Sequence, residues 1–325
     1  GEGGGQVGDT GVISTEACTV TVTDTKKADG VYFHLCHMEN GELSVGDKVV
    51  LKVDGVRRNA IRRNHSACHL LQAALRQVLG AHVEQAGSYV DENRVRFDFA
   101  HYAPLSEEEL DKVETLVNRH ILAAESVNTV ETDVEEAKKA GAMALFGEKY
   151  GDVVRVVTMG DENRTVSMEL CGGTHLDNTA KVGPFRIVSE SSVASGVRRI
   201  EAVTGKVCLE MTDEMNQKLL RVAETLKTTP AELFAKAEAS MREIRELHQT
   251  IEKMKDRLFA GEVDQFLFSA KNIGGLRVLT TNRGAADAAD LRRMGDFLRD
   301  KDSGIVAVLS AVNGEKITLL AVCGK

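Results

Sequence analysis

The chain has 325 residues and a formal net charge of −8, enough length for two or three domains that each bury a core. No apolar run is long enough to span a bilayer and no charged-then-apolar leader is present, which sets aside membrane and secreted classes. Cys18, Cys36, Cys68, Cys171, Cys208 and Cys323 lack the dense spacing of a disulfide scaffold, so a reducing, cytoplasmic setting is expected.

The chain starts at Gly1 without a methionine, which suggests an excised piece. Residues 1–11 are rich in glycine and predict a tight, backbone-exposing loop in which Gln6, Asp9 and Thr10 are the polar side chains able to face a site. From Val12 to Asp54 the pattern is short strands, at Thr19 to Thr23, Val31 to Met38 and Lys48 to Val53, so residues 1–55 are expected to form a small β-barrel-like unit. Arg57, Arg58, Arg62 and Arg63 follow, either as a solvated basic face or as a phosphate-binding collar. A helix from about Asn64 to Leu79 buries Leu70, Leu71, Ala74, Leu75 and Val78, and Gly80 ends it. His65 and His69, four apart on its first turn, share one face.

Val90 to Phe99 alternates as a strand, and Ser106 with Glu109 forms a capping box for a helix to about Ser126. A strand near Val127 to Glu131, a short helix around Val134 to Phe146, and strands at Val153 to Met159 and Val166 to Leu170 follow, the last two joined by a turn over residues 160–163. Strands at Phe185 to Ser189 and Arg198 to Val203 complete residues 56–205, and β alternates with α without regular crossovers, which predicts α+β. Residues 206–262 carry helical apolar spacing, with a new start at Thr229 and Pro230, and predict a helical hairpin or coiled coil. Residues 263–325 predict a C-terminal α/β domain: strand Arg277 to Thr281, helix Asp287 to Arg299, and strands Ile305 to Val312 and Lys316 to Cys323 around an Asn313-Gly314 turn. Ending on a strand, this domain is expected to be truncated.

Cys171 and His175 repeat the four-residue interval of His65 and His69, and one thiolate with three imidazoles suits zinc better than hard cations. Ser66 stands where a helix-borne metalloprotease has its glutamate, so that chemistry is excluded.

Gly4-Gly5-Gln6, Arg63-Asn64-His65 through His69-Leu70-Leu71, Glu169 through His175, Gly196 through Ala202, and Leu226-Lys227-Thr228-Thr229-Pro230 together resemble the editing and C-terminal regions of bacterial-type alanyl-tRNA synthetases. The resemblance covers the whole chain; Gly3, where serine is common, is a departure. It implies a zinc-dependent hydrolase that removes serine or glycine from alanine tRNA, with His65, His69, Cys171 and His175 as ligands and Gln6 in the substrate pocket. Gln6 or Thr10 would hydrogen-bond the serine hydroxyl, since a pocket shaped for alanine rejects serine only about 10²-fold. No general base is assigned. Phosphate contacts are expected from Arg57, Arg58, Arg62, Arg63, Arg198 and Arg199, and a homodimer through the C-terminal region. The ATP-dependent aminoacylation domain is not among these residues, so charging of tRNA is not expected. Two other readings stand beside this one: a free-standing trans-editing deacylase, and a non-catalytic tRNA-binding and dimerising module whose four-ligand zinc is structural.

Overall fold

The computed structural model describes residues 3–28, 30–143, 151–161 and 164–324. Two compact units result, Gly1–Gln217 and Lys218–Lys325. Among the described residues no helix is long and apolar enough to cross a membrane.

In the first unit, β1 (Gly11–Ser14), β2 (Thr19–Ala28), β3 (Val31–Asn40) and β4 (Val50–Val53) form an antiparallel sheet in the order β3-β2-β1-β4. β3 and β4 are its two edges, so the ladder is open where the sequence suggested a barrel. Ile13, Cys18, Val20 and Val22 make its small core.

Helix α1 (Gly55–Leu79) is longer than its apolar pattern indicated. The Asp54 carboxylate accepts the amides of Val56 and Arg57 and so caps the helix ten residues before Asn64. The four arginines therefore lie inside the helix, and His65 sits near its middle rather than on its first turn. Gly80 closes the helix as expected.

One face of α1 packs against the sheet β10-β11-β6-β5, formed by β5 (Gln85–Val90), β6 (Val95–Ala100), β10 (Phe185–Ala194) and β11 (Val197–Thr204). The single strand expected over Val90 to Phe99 is thus the end of β5, a turn and most of β6. Oδ1 of Asp91 accepts the amides of Asn93 and Arg94, each at 2.8 Å, and reverses the chain there. Leu70, Leu71 and Leu75 of α1 meet Phe97, Phe99 and Ile200 in the main core, all fully buried. Burial of each such side chain contributes about 1.5–3 kcal/mol, which fixes α1 and its histidines to the sheet.

Helix α2 (Glu107–Leu122) has the expected capping box, with Ser106 Oγ accepting the Glu109 amide and the Glu109 carboxylate accepting the Ser106 amide. A second antiparallel sheet comprises β7 (Ser126–Asp133), β8 (Val153–Asp161) and β9 (Arg164–Leu170), with the short α3 (Val134–Lys139) between β7 and β8. The part of the expected helix that reaches Phe146, and Glu162 and Asn163 of the expected turn, lie outside the described residues.

Helix α4 (Gly205–Thr225) runs across the boundary between units, so the division falls beyond the expected 205. In the second unit, a 3-10 turn at Pro230–Glu232 precedes α5 (Leu233–Ser269), which continues past 262. Its last turns pack with α6 (Ala288–Lys301) on the sheet of β12 (Lys271–Ile273), β13 (Leu276–Asn282), β14 (Ile305–Asn313) and β15 (Lys316–Cys323). Phe259 and Val263 of α5 share a core with Leu291, Met294, Leu298 and Ile305. β13 and β14 are parallel and α6 makes the crossover between them.

Candidate metal centre

Three elements deliver the site. The middle of α1 presents His65 and His69, and β9 ends at Leu170, so Cys171 opens the loop that carries His175. The N-terminal segment pairs beside β5: Val7 donates its amide to Val90, Val90 donates to Gly5, and Gln6 is thereby set against both. All four of His65, His69, Cys171 and His175 are buried, and one donor atom from each falls within 4.8 Å of every other.

Sγ of Cys171 lies 3.4 Å from Nε2 of His65 and 3.3 Å from Nε2 of His175. A tetrahedral zinc with bonds of about 2.3 Å to sulfur and about 2.0–2.1 Å to nitrogen requires a sulfur–nitrogen edge of about 3.5 Å. These two edges are therefore already close to those of a filled shell.

Hydrogen bonding dictates which ring nitrogens face the centre. Oε1 of Gln6 receives the backbone amide of Thr174, which can only donate, and the Thr174 hydroxyl, both at 2.9 Å. It is an acceptor, so Nδ1 of His65, 3.0 Å away, must carry the proton it donates. That leaves Nε2 as the ring nitrogen that faces Cys171. Nδ1 of His69 donates likewise to Oε2 of Glu169 at 2.8 Å, and that carboxylate is steadied by the Ser167 hydroxyl at 2.6 Å. Nε2 of His69 and Nδ1 of His175 are buried without a hydrogen-bond partner. Such atoms cost about 1–3 kcal/mol when left unsatisfied, and a coordinated cation is what would satisfy the His69 nitrogen.

Protonation agrees with that donor set at Cys171 and His175, whereas His69 must give up a proton to bind a metal. Burial opposes ionisation of the Cys171 thiol, but the charge of His65 and the hydrogen bonds with His175 and His65 prevail and hold its pKa down to about 2. Burial, ahead of the neighbouring imidazoles, pushes His175 down to about 3. Burial also works against a charged His69, yet the Glu169 carboxylate raises its pKa well above the usual value. A thiolate beside a neutral imidazole is the form a metal requires, and a carboxylate behind His69 makes that ring a stronger donor.

Glu169 was not foreseen, although its signal is in the chain: residues i and i+2 of a strand share a face, and Glu169 stands two before Cys171. Arg155, which donates to the carbonyls of Gly172 and Gly173 and pins the ligand loop, carries no such local signal. Glu169→Ala is expected to weaken metal retention about 10–100-fold in competition with a chelator, with most of it recovered in Glu169→Gln, which keeps an acceptor oxygen. Equal affinities in all three proteins would remove Glu169 from the site.

Thr10 is placed elsewhere, lining a cavity of about 270 Å³ on the N-terminal sheet with Asp9, Val22, Thr25, Tyr32 and Leu51. Of the six arginines, Arg57 meets Glu92 and the Gly8 carbonyl, Arg58 is paired with Asp9, Arg198 with Glu190, and Arg199 with Asp98. Arg62 and Arg63 bind backbone carbonyls instead, those of His175 and Lys181.

Residues 154–201 match the family model for the "Threonyl and Alanyl tRNA synthetase second additional domain", and residues 1–57 match that for "tRNA synthetases class II (A)". The chain is 46% identical over 325 residues to an alanine–tRNA ligase of Acetivibrio thermocellus, covering 100% of this chain and 36% of the relative. It is 45% identical over 320 residues to the alanine–tRNA ligase of Hydrogenovibrio crunogenus, covering 98% and 37%. Against that of Alkaliphilus oremlandii it is 42% identical over 326 aligned positions, covering 100% and 37%. The chain thus spans little more than a third of the length of these relatives.

Proposed function

The chain belongs to the alanine–tRNA ligase family along its whole length, and we propose that it is a hydrolytic editing portion, cleaving the ester that joins serine or glycine to alanine tRNA. Ligation of alanine to tRNA is what the relatives' name states, and it is not needed for this reading. The observation that carries it is the convergence of His65, His69, Cys171 and His175 on one point, with two of the rings fixed from behind.

When bound, zinc would supply Lewis acidity toward the ester carbonyl and a lowered pKa for water. The chain's own residues have distinct tasks around it. The Cys171 thiolate and the three imidazoles hold the ion, Gln6 orients His65, and Glu169 orients His69. Sparing alanine while removing serine requires a polar partner for the hydroxyl. Of the two residues expected in that role, Gln6 adjoins the ligands and Thr10 lines its own cavity. RNA contact is proposed for part of the six arginines, those without a carboxylate partner being the strongest candidates. Pairing of two copies through the C-terminal region is supported by an exposed apolar stripe on α5 that includes Met241, Ile244, Leu247, Ile251, Met254 and Leu258. A cytoplasmic setting follows from the same reading.

A second reading is favoured by the ligand count: four protein donors close a tetrahedral zinc, which is the structural pattern. Incubating the purified chain with seryl-tRNA separates the two. Deacylation that stops on chelation and returns with zinc is the expected result. A folded, zinc-loaded chain that leaves the ester intact would establish the binding module and overturn the hydrolase.

A further inference from the structure

The arginines divide into two classes by what neutralises them. Arg57, Arg58, Arg198 and Arg199 each face a carboxylate, so their charge is largely spent within the fold. Arg62 and Arg63 are held differently. Nε of Arg62 donates to the His175 carbonyl at 2.6 Å and its Nη1 to Oδ1 of Asn59 at 3.3 Å, while Nε of Arg63 donates to the Lys181 carbonyl at 3.0 Å. A carbonyl positions a guanidinium without cancelling its charge. Among the described residues, Nη2 of Arg62 and both terminal nitrogens of Arg63 have no hydrogen-bond partner.

These groups line one cavity of about 290 Å³, together with Asn59, Leu176, Asp177 and Lys181. Lys181 is shared with Asp177 at 2.7 Å, so three cations face one carboxylate and the cavity keeps a positive balance. Its wall is the segment that follows the ligand loop: the Leu176 amide donates to Ser66 Oγ at 3.1 Å, and Lys181 comes from the 3-10 turn Thr179–Val182. Arg62 lies one helical turn before Ser66 and three residues before His65, and residues at such spacings are neighbours about 5–6 Å apart at Cβ. An anion in this cavity would therefore be one turn of α1 from the metal centre.

We infer that the cavity formed by Arg62, Arg63 and Lys181 seats a single phosphate of the RNA acceptor end, anchoring the strand whose terminal ester is presented to the four-ligand centre. This rests on the hydrolytic reading above and narrows it. One phosphate is the load, because the unpaired guanidinium nitrogens belong to adjacent residues tied to one loop. The four carboxylate-paired arginines hold the fold and add little to binding.

The test is the salt dependence of tRNA binding by the whole chain. Each phosphate neutralised contributes about 0.7 to the slope of log K against log salt for single strands and about 0.9 for a duplex. Arg63→Gln with Lys181→Gln is therefore expected to lower the slope by about one such unit, with KM for seryl-tRNA raised and kcat unchanged. Arg62 is left intact because it also holds the carbonyl of a ligand residue. Lys181→Gln alone changes an exposed side chain and is expected to shift slope and KM in the same direction, which guards against a folding defect in the double variant. Adenosine 5′-monophosphate and adenosine are compared in parallel by calorimetry: binding of the first but not the second, lost in the double variant, supports the phosphate site. Unchanged slope and KM in both variants, with the wild type still hydrolysing seryl-tRNA, overturns the cavity and leaves the hydrolytic reading standing. A wild type that binds no tRNA at low salt overturns both. If the monophosphate binds at the cavity while the tRNA slope stays fixed, the site takes free nucleotide and the acceptor-end assignment is wrong.

Discussion

Replacing Cys171 by alanine is expected to strip the chain of its metal and to lower deacylation of seryl-tRNA by more than about 100-fold, the upper end for losing an outer partner of a ligand. Sγ is the vertex shared by two of the nitrogen distances, 3.4 Å to His65 and 3.3 Å to His175. Without it three imidazoles surround a gap, two of them with a buried nitrogen that already lacks a partner. Cys171→Ser separates sulfur chemistry from packing. Its hydroxyl fills nearly the same space yet stays protonated at neutral pH, where the thiol with a pKa of about 2 is ionised. Both variants should therefore lose metal and activity together. Elemental analysis with a deacylation assay reads the outcome, and a folded Cys171→Ala protein that is metal-free and fully active would refute the role of the ion.

Gly173→Ala is expected to cost as much as a lost ligand, although it changes no donor atom. A Cβ at this position would lie 2.0 Å from Cε1 and 2.4 Å from Nδ1 of His65, and 3.2 Å from Oε1 of Gln6. The loop cannot retreat easily, since Arg155 holds the carbonyls of residues 172 and 173. His65 cannot retreat with its helix, whose neighbouring residues are fully buried. Only rotation of the ring relieves the overlap, and that breaks the bond to Gln6 and moves Nε2 off the centre. Metal affinity should fall about 100-fold or more. Gly172→Ala is the contrast: its Cβ would meet nothing within 4 Å, and affinity should stay within about twofold of wild type, the scale of an ordinary surface change. Chelator competition on the two single variants reads the difference. Equal retention by both would mean that the loop does not crowd His65.

How much of this was legible follows from the range of each signal. The i, i+4 spacing of His65 with His69 is local and survives in α1, and the same interval brings Cys171 and His175 to one loop. The capping box at Ser106 and the stop at Gly80 were equally local and were read correctly. The start of α1 was not, because its first turns carry arginines rather than an apolar stripe and only the Asp54 cap marks it. The hairpin at Asp91 was hidden because apolar alternation continues on both sides of the turn. Closure of the N-terminal sheet depends on strand pairing, which short-range pattern does not specify. Least visible were the partners of the arginines. Arg58 finds Asp9 across 49 residues and Arg199 finds Asp98 across 101, so sequence offered six equivalent cations where the fold distinguishes four paired from two unpaired.

X-ray absorption at the zinc edge of the purified chain tests the central claim most directly. The expected spectrum is that of one zinc per chain with one sulfur at about 2.3 Å and three nitrogens at about 2.0–2.1 Å. A folded chain without zinc, or a zinc shell that contains no sulfur, would contradict it.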